Sequence, residues 1–443
     1  MASSGCLVQL AAVGNANTFL DIDPQVTFFK QMWKRHSRFA IGELDEHFHS
    51  PGFNKKMTMD FPRAGDLLHK IYARYKLSAL TINLDTPLQS EDGTNVTAAN
   101  AVVHWANGIG NVLTKECEVQ IGSQSVDKLY SEYLQIWEEH ASSEGLKQGE
   151  NIGYFDSVDD LRAFAARDRE LYVYLPFFFA TYPELSLPLI ALQFHTTRFT
   201  LITRSREECI IAYVPGGAND GGDWDIPIAR IEGGELQDCM LTSSLIYLDT
   251  MEREIFASEA HEYLFTGVQL QPPESVVAGT TQKTINLSFN HPVIELFWVY
   301  QENRNAAAPV NEWFNWGIED PDGKYPWNNA ANVPTPLIDP FKSVRLLLNS
   351  HERVSERNGA YFRTVQPKQY HSCKPERFIY SYSFGFRPED HVPTGSCNMS
   401  RIDHVQLILK FNTLANDGEV RVYARYFNVM KIHGGMAAIR HAS

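Results

Sequence analysis

Short runs in which apolar and polar side chains alternate recur along most of this 443-residue chain. A period of two is typical of a β-strand with one face in a core and the other in water. The clearest runs lie at 71–78, 116–121, 285–289, 380–386, 405–411 and 420–432. Turns rich in proline and glycine separate them. The pattern therefore predicts an all-β protein made of short antiparallel strands.

Three segments change to a helical period. Apolar side chains between Asp127 and His140 fall on one face of a helix, with Glu132 and Glu138 on the polar remainder. A second short helix is predicted directly after Ser157, whose hydroxyl can cap its N terminus. A third is predicted over 252–264. We interpret all three as short helices inserted in the connections between strands.

The chain length and one composition shift predict two domains. A chain of 443 residues exceeds what one hydrophobic core usually supports. The segment Pro215–Asp223 has four glycines in nine residues, which is unsuited to a packed strand. We therefore predict an N-terminal arm at 1–24, a first domain at 25–214, a linker at 215–224 and a second domain at 225–443.

The formal net charge of −14 limits the partners of the chain. A protein that coats nucleic acid needs a cationic surface to neutralise phosphates, so direct genome binding is not expected. Basic residues are densest between Lys30 and Arg38, which we interpret as a contact for a neighbouring subunit or an anionic membrane face. The six cysteines form no Cys-x-x-Cys pair. Neither a zinc site nor a disulfide framework is predicted, which suits assembly in cytoplasm.

Neither a secretory signal nor a membrane span is predicted for this chain. Residues 1–20 lack the basic start and the apolar stretch of a secretory signal, and no apolar run is long enough to span a bilayer. The function of the chain must therefore be inferred from its motifs.

Two turn motifs stand out. The first is Arg-Ala-Gly-Asp-Leu at 63–67. The second is the corner from Phe384 to Asp403, which contains Arg-Pro-Glu and then Pro-Thr-Gly-Ser-Cys-Asn-Met-Ser-Arg-Ile-Asp. Its prolines fix φ and remove backbone donors, while Gly395 can adopt turn dihedrals closed to other residues. Neither motif resembles a nucleophile, a metal cage or a phosphate cradle, so both indicate shape rather than chemistry.

These motifs resemble the signature of the major capsid proteins of nucleocytoplasmic large DNA viruses. The chain is also similar to that family in its Pro-Gln-Val-Thr-Phe-Phe-Lys segment at 24–30 and in Leu-Pro-Phe-Phe-Phe at 175–179. The resemblance extends from Pro24 to Met436. It implies two consecutive eight-stranded antiparallel jelly rolls with short helices in the inter-strand loops. The Pro-led apolar strand at 291–298 is similar to that at 187–192, as two copies of one fold would be.

The resemblance implies structural residues and binding partners rather than a catalytic centre. It implies a homotrimer that forms a pseudo-hexagonal capsomer of an icosahedral shell, assembled in the host cytoplasm and located in the virion capsid. Neighbouring capsomers, minor capsid proteins, a penton protein and the internal membrane face are the implied partners, and no cofactor or enzymatic activity is implied. The signature residues are Arg63, Gly65, Asp66, Pro393, Gly395, Cys397, Asn398, Arg401 and Asp403.

Two weak metal motifs are present. His47 and His49 are spaced to lie on one face of a strand, as in a cupin metalloenzyme. A cupin would need a glutamate four or five residues later, where this chain has Phe53 and Asn54, so solvated histidines are expected. Asp-Pro-Asp-Gly at 320–323 resembles part of a calcium loop but lacks the later glutamate, and predicts an ordinary turn.

A long loop between Asn303 and Asp339 is rich in Trp, Pro and Asn. Loops of this length are usually functional, and exposed tryptophan is costly unless the loop folds on itself or meets a partner. We predict that it lies on the outer tower or at the trimer seam. Its Trp313 and Trp316, with Glu319 and Asp320, leave one alternative open, a jelly roll that binds or cleaves glycans.

Three Asn-x-Ser/Thr triplets are candidate glycosylation sites, at Asn95, Asn286 and Asn398. Asn398 belongs to the second turn motif, where a hydrogen bond from its amide group to the turn is the stronger expectation. Asn95 lies in a polar loop and is the best candidate for a surface glycan.

Overall fold

The chain divides into two units, at 1–38 and 39–443. A computed structural model describes residues 4–15, 17–31, 33–85, 87–141, 148–216, 223–319 and 337–441. The first unit contains the helices α1 (Ser4–Ala11) and α2 (Thr18–Asp21). The first strand begins at Phe39, so the N-terminal unit reaches Arg38 instead of ending at residue 24 as predicted.

Eight main strands of the described residues form a first sandwich. In chain order they are β1 (Phe39–His47), β2 (Lys56–Asp60), β3 (Leu67–Leu77), β4 (Thr114–Ile121), β5 (Gln124–Tyr130), β6 (Arg169–Tyr174), β7 (Thr197–Thr203) and β8 (Leu236–Leu248). One sheet has the order β1-β8-β3-β6 and the other β2-β7-β4-β5. All neighbouring strands run antiparallel.

Eight further main strands form a second sandwich. They are β9 (His261–Leu270), β10 (Gln282–Leu287), β11 (Pro292–Glu302), β12 (Phe341–Leu348), β13 (His351–Asn358), β14 (Tyr380–Ser383), β15 (Val405–Phe411) and β16 (Gly418–His433). Their sheets are β9-β16-β11-β14 and β10-β15-β12-β13. Both sandwiches thus have the same strand order, that of a jelly roll. The prediction of an all-β protein with two consecutive antiparallel jelly rolls is confirmed for the described residues.

Short elements decorate this framework. The helices of the second unit are α3 (Ile109–Leu113), α4 (Ser131–Ala141), α5 (Val158–Ala165), α6 (Phe178–Thr181), α7 (Thr250–Ser258) and α8 (Gln366–Tyr370), with a π-helical turn at Tyr361–Val365 before α8. Single 3₁₀ turns occupy Gly149–Ile152, Pro183–Leu185, Leu189–Ala191, Ile228–Arg230 and Met399–Arg401. Minor strands are Leu80–Ile82, Val102–Trp105, Leu187–Pro188, Ile210–Val214, Trp224–Asp225, Ile231–Gly233, Glu274–Val276, Ile318–Glu319, Leu337–Ile338, Cys397–Asn398 and Met436–Ile439.

Each of the three predicted helices is present, but two of them differ from the prediction in extent. Ser157 caps α5, its hydroxyl accepting a hydrogen bond from the Asp159 amide at 3.2 Å. The helix predicted from Asp127 starts at Ser131, because residues 124–130 continue the strand β5. The helix predicted over 252–264 ends at Ser258, and β9 follows it. In both cases the apolar residues next to the helix also fit the period of a strand.

The predicted domain boundary at 215–224 is wrong. The strand β8, at 236–248, pairs with β1 on one side and β3 on the other, so it belongs to the first sandwich. Ile231–Gly233 also pairs with Leu80–Ile82 of that half. The glycine-rich segment, of which 217–222 lies outside the described residues, is therefore a connection within one domain. Turn composition marks a chain reversal but does not say which strands pair across it.

The strand β11 shows how the two halves share their cores. Residues 293–302 of this strand are buried without alternation. Leu296 and Trp298 point into the core of the second sandwich, whereas Phe297 and Val299 join the core that extends from the first. A strand that is covered on both faces has a nearly continuous run of apolar residues, as β11 has. Among the described residues, no helix is long and apolar enough to cross a membrane.

Candidate functional site: two signature corners and a buried seam

Asp66 fixes the first signature corner to the end of β8. Its side chain is buried and accepts a hydrogen bond from the Leu248 amide at 2.9 Å, while its own amide donates to the Ile246 carbonyl at 3.0 Å. Arg253 of α7 contacts the same carboxylate at 3.0 Å. Asp66 therefore holds the corner against the point where the chain leaves the first sandwich.

Gly65 permits a close approach at this corner. A Cβ atom placed on it would lie 2.7 Å from the Cβ of Leu245 in β8, closer than such atoms come in real proteins. Beside it, the Arg63 guanidinium donates to the His195 carbonyl at 3.2 Å. The three signature residues of this corner thus have structural contacts within the first sandwich.

Substituting Gly65 with alanine should lower the free energy of unfolding by about 1 to 3 kcal/mol, because the added methyl group must displace β8. Urea unfolding of the full chain measures the change. Gly14→Ala is the matched control, since no atom lies within 4 Å of its added Cβ. Equal stabilities of the two variants would show that the close approach at Gly65 has no energetic consequence.

The second signature corner belongs to the second sandwich. Gly395 has a φ of +141°, and its position leaves only 3.0 Å between an added Cβ and the Phe384 carbonyl oxygen. The strand at Cys397–Asn398 pairs with Pro292–Val293 at the start of β11. The Asn398 side chain accepts a hydrogen bond from the Ser400 amide at 3.1 Å. This corner therefore closes the edge of a sheet.

The remaining signature residues, Pro393, Arg401 and Asp403, are exposed on this corner. Two large apolar side chains of the same loop, Phe386 and Val392, are exposed as well. The structure thus divides the signature residues between two corners, one in each sandwich. The second corner combines a fixed backbone with an exposed apolar tip, as a contact surface would.

Helix α4 lies in the seam between the sandwiches. The Tyr133 ring packs against Phe297 and Tyr423 of the second sandwich, with ring centroids 6.4 and 6.0 Å apart. The Arg425 guanidinium covers the Trp137 ring at 4.2 Å. These aromatic contacts pack the two jelly rolls against each other across a buried seam.

A buried carboxylate crosses this seam. Glu132 of α4 contacts Arg204 of the first sandwich at 3.0 Å and Arg421 of the second at 2.5 Å. Burial alone would raise the pKa of Glu132, but the guanidinium groups of Arg421 and Arg204 outweigh it and leave the pKa below its usual value. The sequence pattern placed Glu132 on the polar face of a helix, whereas it is buried.

A second buried group surrounds His371. Its two ring nitrogens lie 3.2 Å from carboxylate oxygens of Glu295 and Glu389, and Arg425 also contacts Glu295 at 3.2 Å. Burial would lower the pKa of His371, but the two carboxylates raise it to about 9. Burial, and then the charge on His371, lower the pKa of His140 to about 3; its ring meets the His371 ring edge to face, with centroids 4.7 Å apart.

Sequence reasoning missed both groups. One signal was present, since Glu295 interrupts the apolar run of β11 and a charge inside such a run is usually paired. The identity of its partners could not be read from the sequence, because His371 and Arg425 lie 76 and 130 positions further along. The two groups are arranged to hold the sandwiches together.

Trp313 and Trp316, which belong to the described part of the long loop, are both buried. Trp313 donates a hydrogen bond to the Glu208 carbonyl at 2.8 Å, and the Arg204 guanidinium covers its ring at 3.6 Å. Trp316 is 1% exposed. The described part of the loop therefore folds onto the first sandwich. Both rings are buried, so neither is available to the glycan site of the alternative interpretation. Asp320 and the Asp-Pro-Asp-Gly turn lie outside the described residues.

The candidate histidine pair is not assembled as a metal site. His47, at the end of β1, is exposed and lies 3.1 Å from an Asp238 carboxylate oxygen. His49 is exposed beyond the strand, so the two do not share a strand face. Across the described ranges, no group of three or more His, Cys, Asp and Glu side chains is placed to hold a metal ion.

The three sequons differ in setting. Asn95 is exposed in a loop, where its side-chain oxygen accepts a hydrogen bond from Gln89 at 3.1 Å. Asn286 is exposed on the strand β10 and accepts from Gln406 at 3.1 Å. Asn398 is exposed too, but its side chain is part of the second corner.

Comparison with known proteins gives the family. A family profile described as the large eukaryotic DNA virus major capsid protein matches residues 252–438, and a profile described as the major capsid protein N-terminus matches 27–249. These two matches meet close to the end of β8. Together they span most of the chain, including both corners.

Individual relatives agree with the profiles. The chain is 30% identical to the major capsid protein of Pyramimonas orientalis virus, over 99% of this chain and 100% of that protein. It is 28% identical to the major capsid protein of Paramecium bursaria Chlorella virus 1, with the same coverage.

Solved structures show the same fold. A quasi-atomic model of the capsid of the virus abbreviated PBCV-1 matches with a TM-score of 0.72 and 25% identity, over 94% of this chain and 100% of that one. The Faustovirus major capsid protein matches in fold, with a TM-score of 0.72 over 97% of this chain and 96% of that one, at 12% identity. The two profile matches, the full-length relatives and the paired jelly rolls place this chain in the family of major capsid proteins of large eukaryotic DNA viruses.

Proposed function

We propose that this chain is a passive building block of an icosahedral shell and acts as a homotrimer. The observation that carries the proposal is the repeated strand order of two jelly rolls joined by a buried seam. Three such chains offer six similar blocks, which give a pseudo-hexagonal outline able to tile a shell through near-equivalent contacts.

The partners follow from this role. The trimer contacts neighbouring capsomers, and minor capsid proteins and a penton protein complete the shell. It assembles in the host cytoplasm, around an internal membrane. The chain performs no enzymatic reaction and uses no cofactor. The relatives named as major capsid proteins support this assignment, and so does the burial of both tryptophans on which the glycan alternative depended.

Purified full-length protein should elute as a particle with three times the chain mass, measured by light scattering during size-exclusion chromatography. Negative-stain microscopy of the same fraction should show pseudo-hexagonal particles, since each trimer presents six jelly rolls. A stable monomer that never forms such particles would contradict the proposal.

Glycosylation can be tested by intact mass. Since assembly in cytoplasm keeps the chain away from the secretory path, protein isolated from virions should have the mass of its sequence, without a glycan on Asn95, Asn286 or Asn398. A heavier protein whose extra mass disappears in the Asn95→Gln variant would instead place a surface glycan on the exposed loop.

A further inference from the structure

The N-terminal unit carries an unusual set of exposed apolar side chains. We call residues 20–31 and 33–38 the basic aromatic segment. Phe28 and Phe29 are 96% and 99% exposed. Large apolar side chains exposed so close together along the chain indicate a contact with a protein or a membrane. The other large apolar side chains of the segment, also exposed, are Leu20, Ile22, Val26 and Trp33.

The same segment contains the densest run of cations in an acidic chain. Lys30, Lys34, Arg35 and Arg38 fall within nine residues, and no Asp or Glu occurs between Pro24 and Gly42. The whole chain has a net charge of −14, so the remainder is strongly negative. The partner of the segment must therefore be anionic where the segment touches it, and must also accept apolar side chains.

We propose that the basic aromatic segment binds the surface of a membrane that contains anionic lipids. Aromatic rings interleaved with lysine and arginine match the bilayer interface, where the rings enter the boundary between headgroups and acyl chains. The cations then lie at the level of the negative headgroups. The inference rests on the proposed function, because it is the proposed shell that would bring this segment to a membrane.

A nucleic acid fits these observations less well. It would neutralise the four cations, but it offers no hydrocarbon for Ile22 and Val26, and it would repel the acidic remainder of the chain. A second copy of the chain could cover the apolar side chains. In that case the segment would govern oligomeric state rather than lipid binding, which the same experiment measures.

Cosedimentation of the full chain with vesicles tests the proposal. We expect binding to vesicles of phosphatidylcholine with added phosphatidylserine, and little binding to phosphatidylcholine alone. Changing Lys30, Lys34, Arg35 and Arg38 to glutamate should lower the partition coefficient on the order of a hundredfold or more, because each cation contributes separately. A variant with Phe28→Ser, Phe29→Ser and Trp33→Ser should also lose binding. A matched control with the same net charge changes four exposed cations of the second unit to glutamate and should keep binding: Lys70, Arg167, Lys342 and Lys368.

Four results would overturn the proposal. They are equal binding to neutral vesicles, equal loss in the control variant, tighter binding to a single-stranded oligonucleotide than to vesicles, and loss of trimers with vesicle binding intact in the segment variants. The proposed function fails separately. A chain that remains monomeric in light scattering yet binds anionic vesicles would refute the trimer and leave the lipid-binding segment in place.

Discussion

Glu132→Gln should lower the free energy of unfolding by about 3 to 5 kcal/mol, the largest change expected of any single substitution considered for this protein. Glutamine keeps the shape of the side chain but removes the charge that faces Arg204 and Arg421. Arg204, whose side chain is 5% exposed, would then lose the carboxylate that it pairs with, and Arg421, 17% exposed, would keep only its longer contact to Glu419 at 3.6 Å among the described ion pairs. Burying an unpaired charge costs far more than an exposed ion pair contributes.

Urea unfolding followed by tryptophan fluorescence measures this change, at one fixed protein concentration because assembly adds concentration-dependent stability. The matched control is Glu262→Gln, which removes the same charge from an exposed pair with Lys431 and should leave the unfolding midpoint nearly unchanged. Similar midpoints for both variants would show that Glu132 is solvated and does not hold the seam.

The free energy of unfolding should fall as the pH rises from about 6.5 to about 9, because in this range the unfolded chain releases the His371 proton while the folded chain still holds it. The folded-state pKa of about 9 lies above the ordinary value of 6.5. Below the ordinary value both states bind the proton and the full stabilisation is present. As the pH rises, the unfolded chain releases the proton first, so folding loses about 3 kcal/mol by the time the pH passes the folded-state pKa.

His371→Gln should remove this part of the pH dependence. Unfolding curves of the wild type and the variant, measured at several pH values across the window, give the slope by difference, so that the titration of other groups cancels. His47→Gln, at an exposed position on β1, should keep the wild-type slope. A slope that is unchanged in His371→Gln would mean that Glu295 and Glu389, beside Arg425 and His140, do not retain the proton on this histidine.

The two predictions bear on assembly because both concern the seam. Glu132 and His371 join residues of different sandwiches, so weakening either contact should loosen the relation between the two jelly rolls before it unfolds either one. The proposed trimeric capsomer would depend on that relation, since its six jelly rolls must keep fixed positions to meet their neighbours.

Much of the fold was predictable because its signals are local. The alternation of Ile71, Ala73 and Tyr75 in β3 follows from a strand with one buried face, and the structure buries all three. The capping of α5 by Ser157 depends on residues two positions apart. By contrast, β8 was assigned to the wrong domain, because its partners β1 and β3 lie more than 150 residues earlier in the chain.

In the candidate site, too, local features were predictable and contacts between distant residues were not. Gly65 and Gly395 could be recognised from sequence, because glycine in a turn motif indicates a close approach or special backbone dihedrals. The fate of Trp313 could not, since the Arg204 guanidinium that covers it comes from the other sandwich. Composition indicated a functional surface loop, and tertiary packing buried the rings of Trp313 and Trp316.

By itself, the sequence determined the elements of this protein: the strands, the two corners, the acidic chain and the basic aromatic segment, because each depends on neighbouring residues and simple steric or charge rules. Only the tertiary structure decided which strands share a sheet, where the first jelly roll ends and which charges meet at the seam. Those features depend on contacts such as that between Glu132 and Arg421, which are 289 positions apart and come together only when both sandwiches have formed.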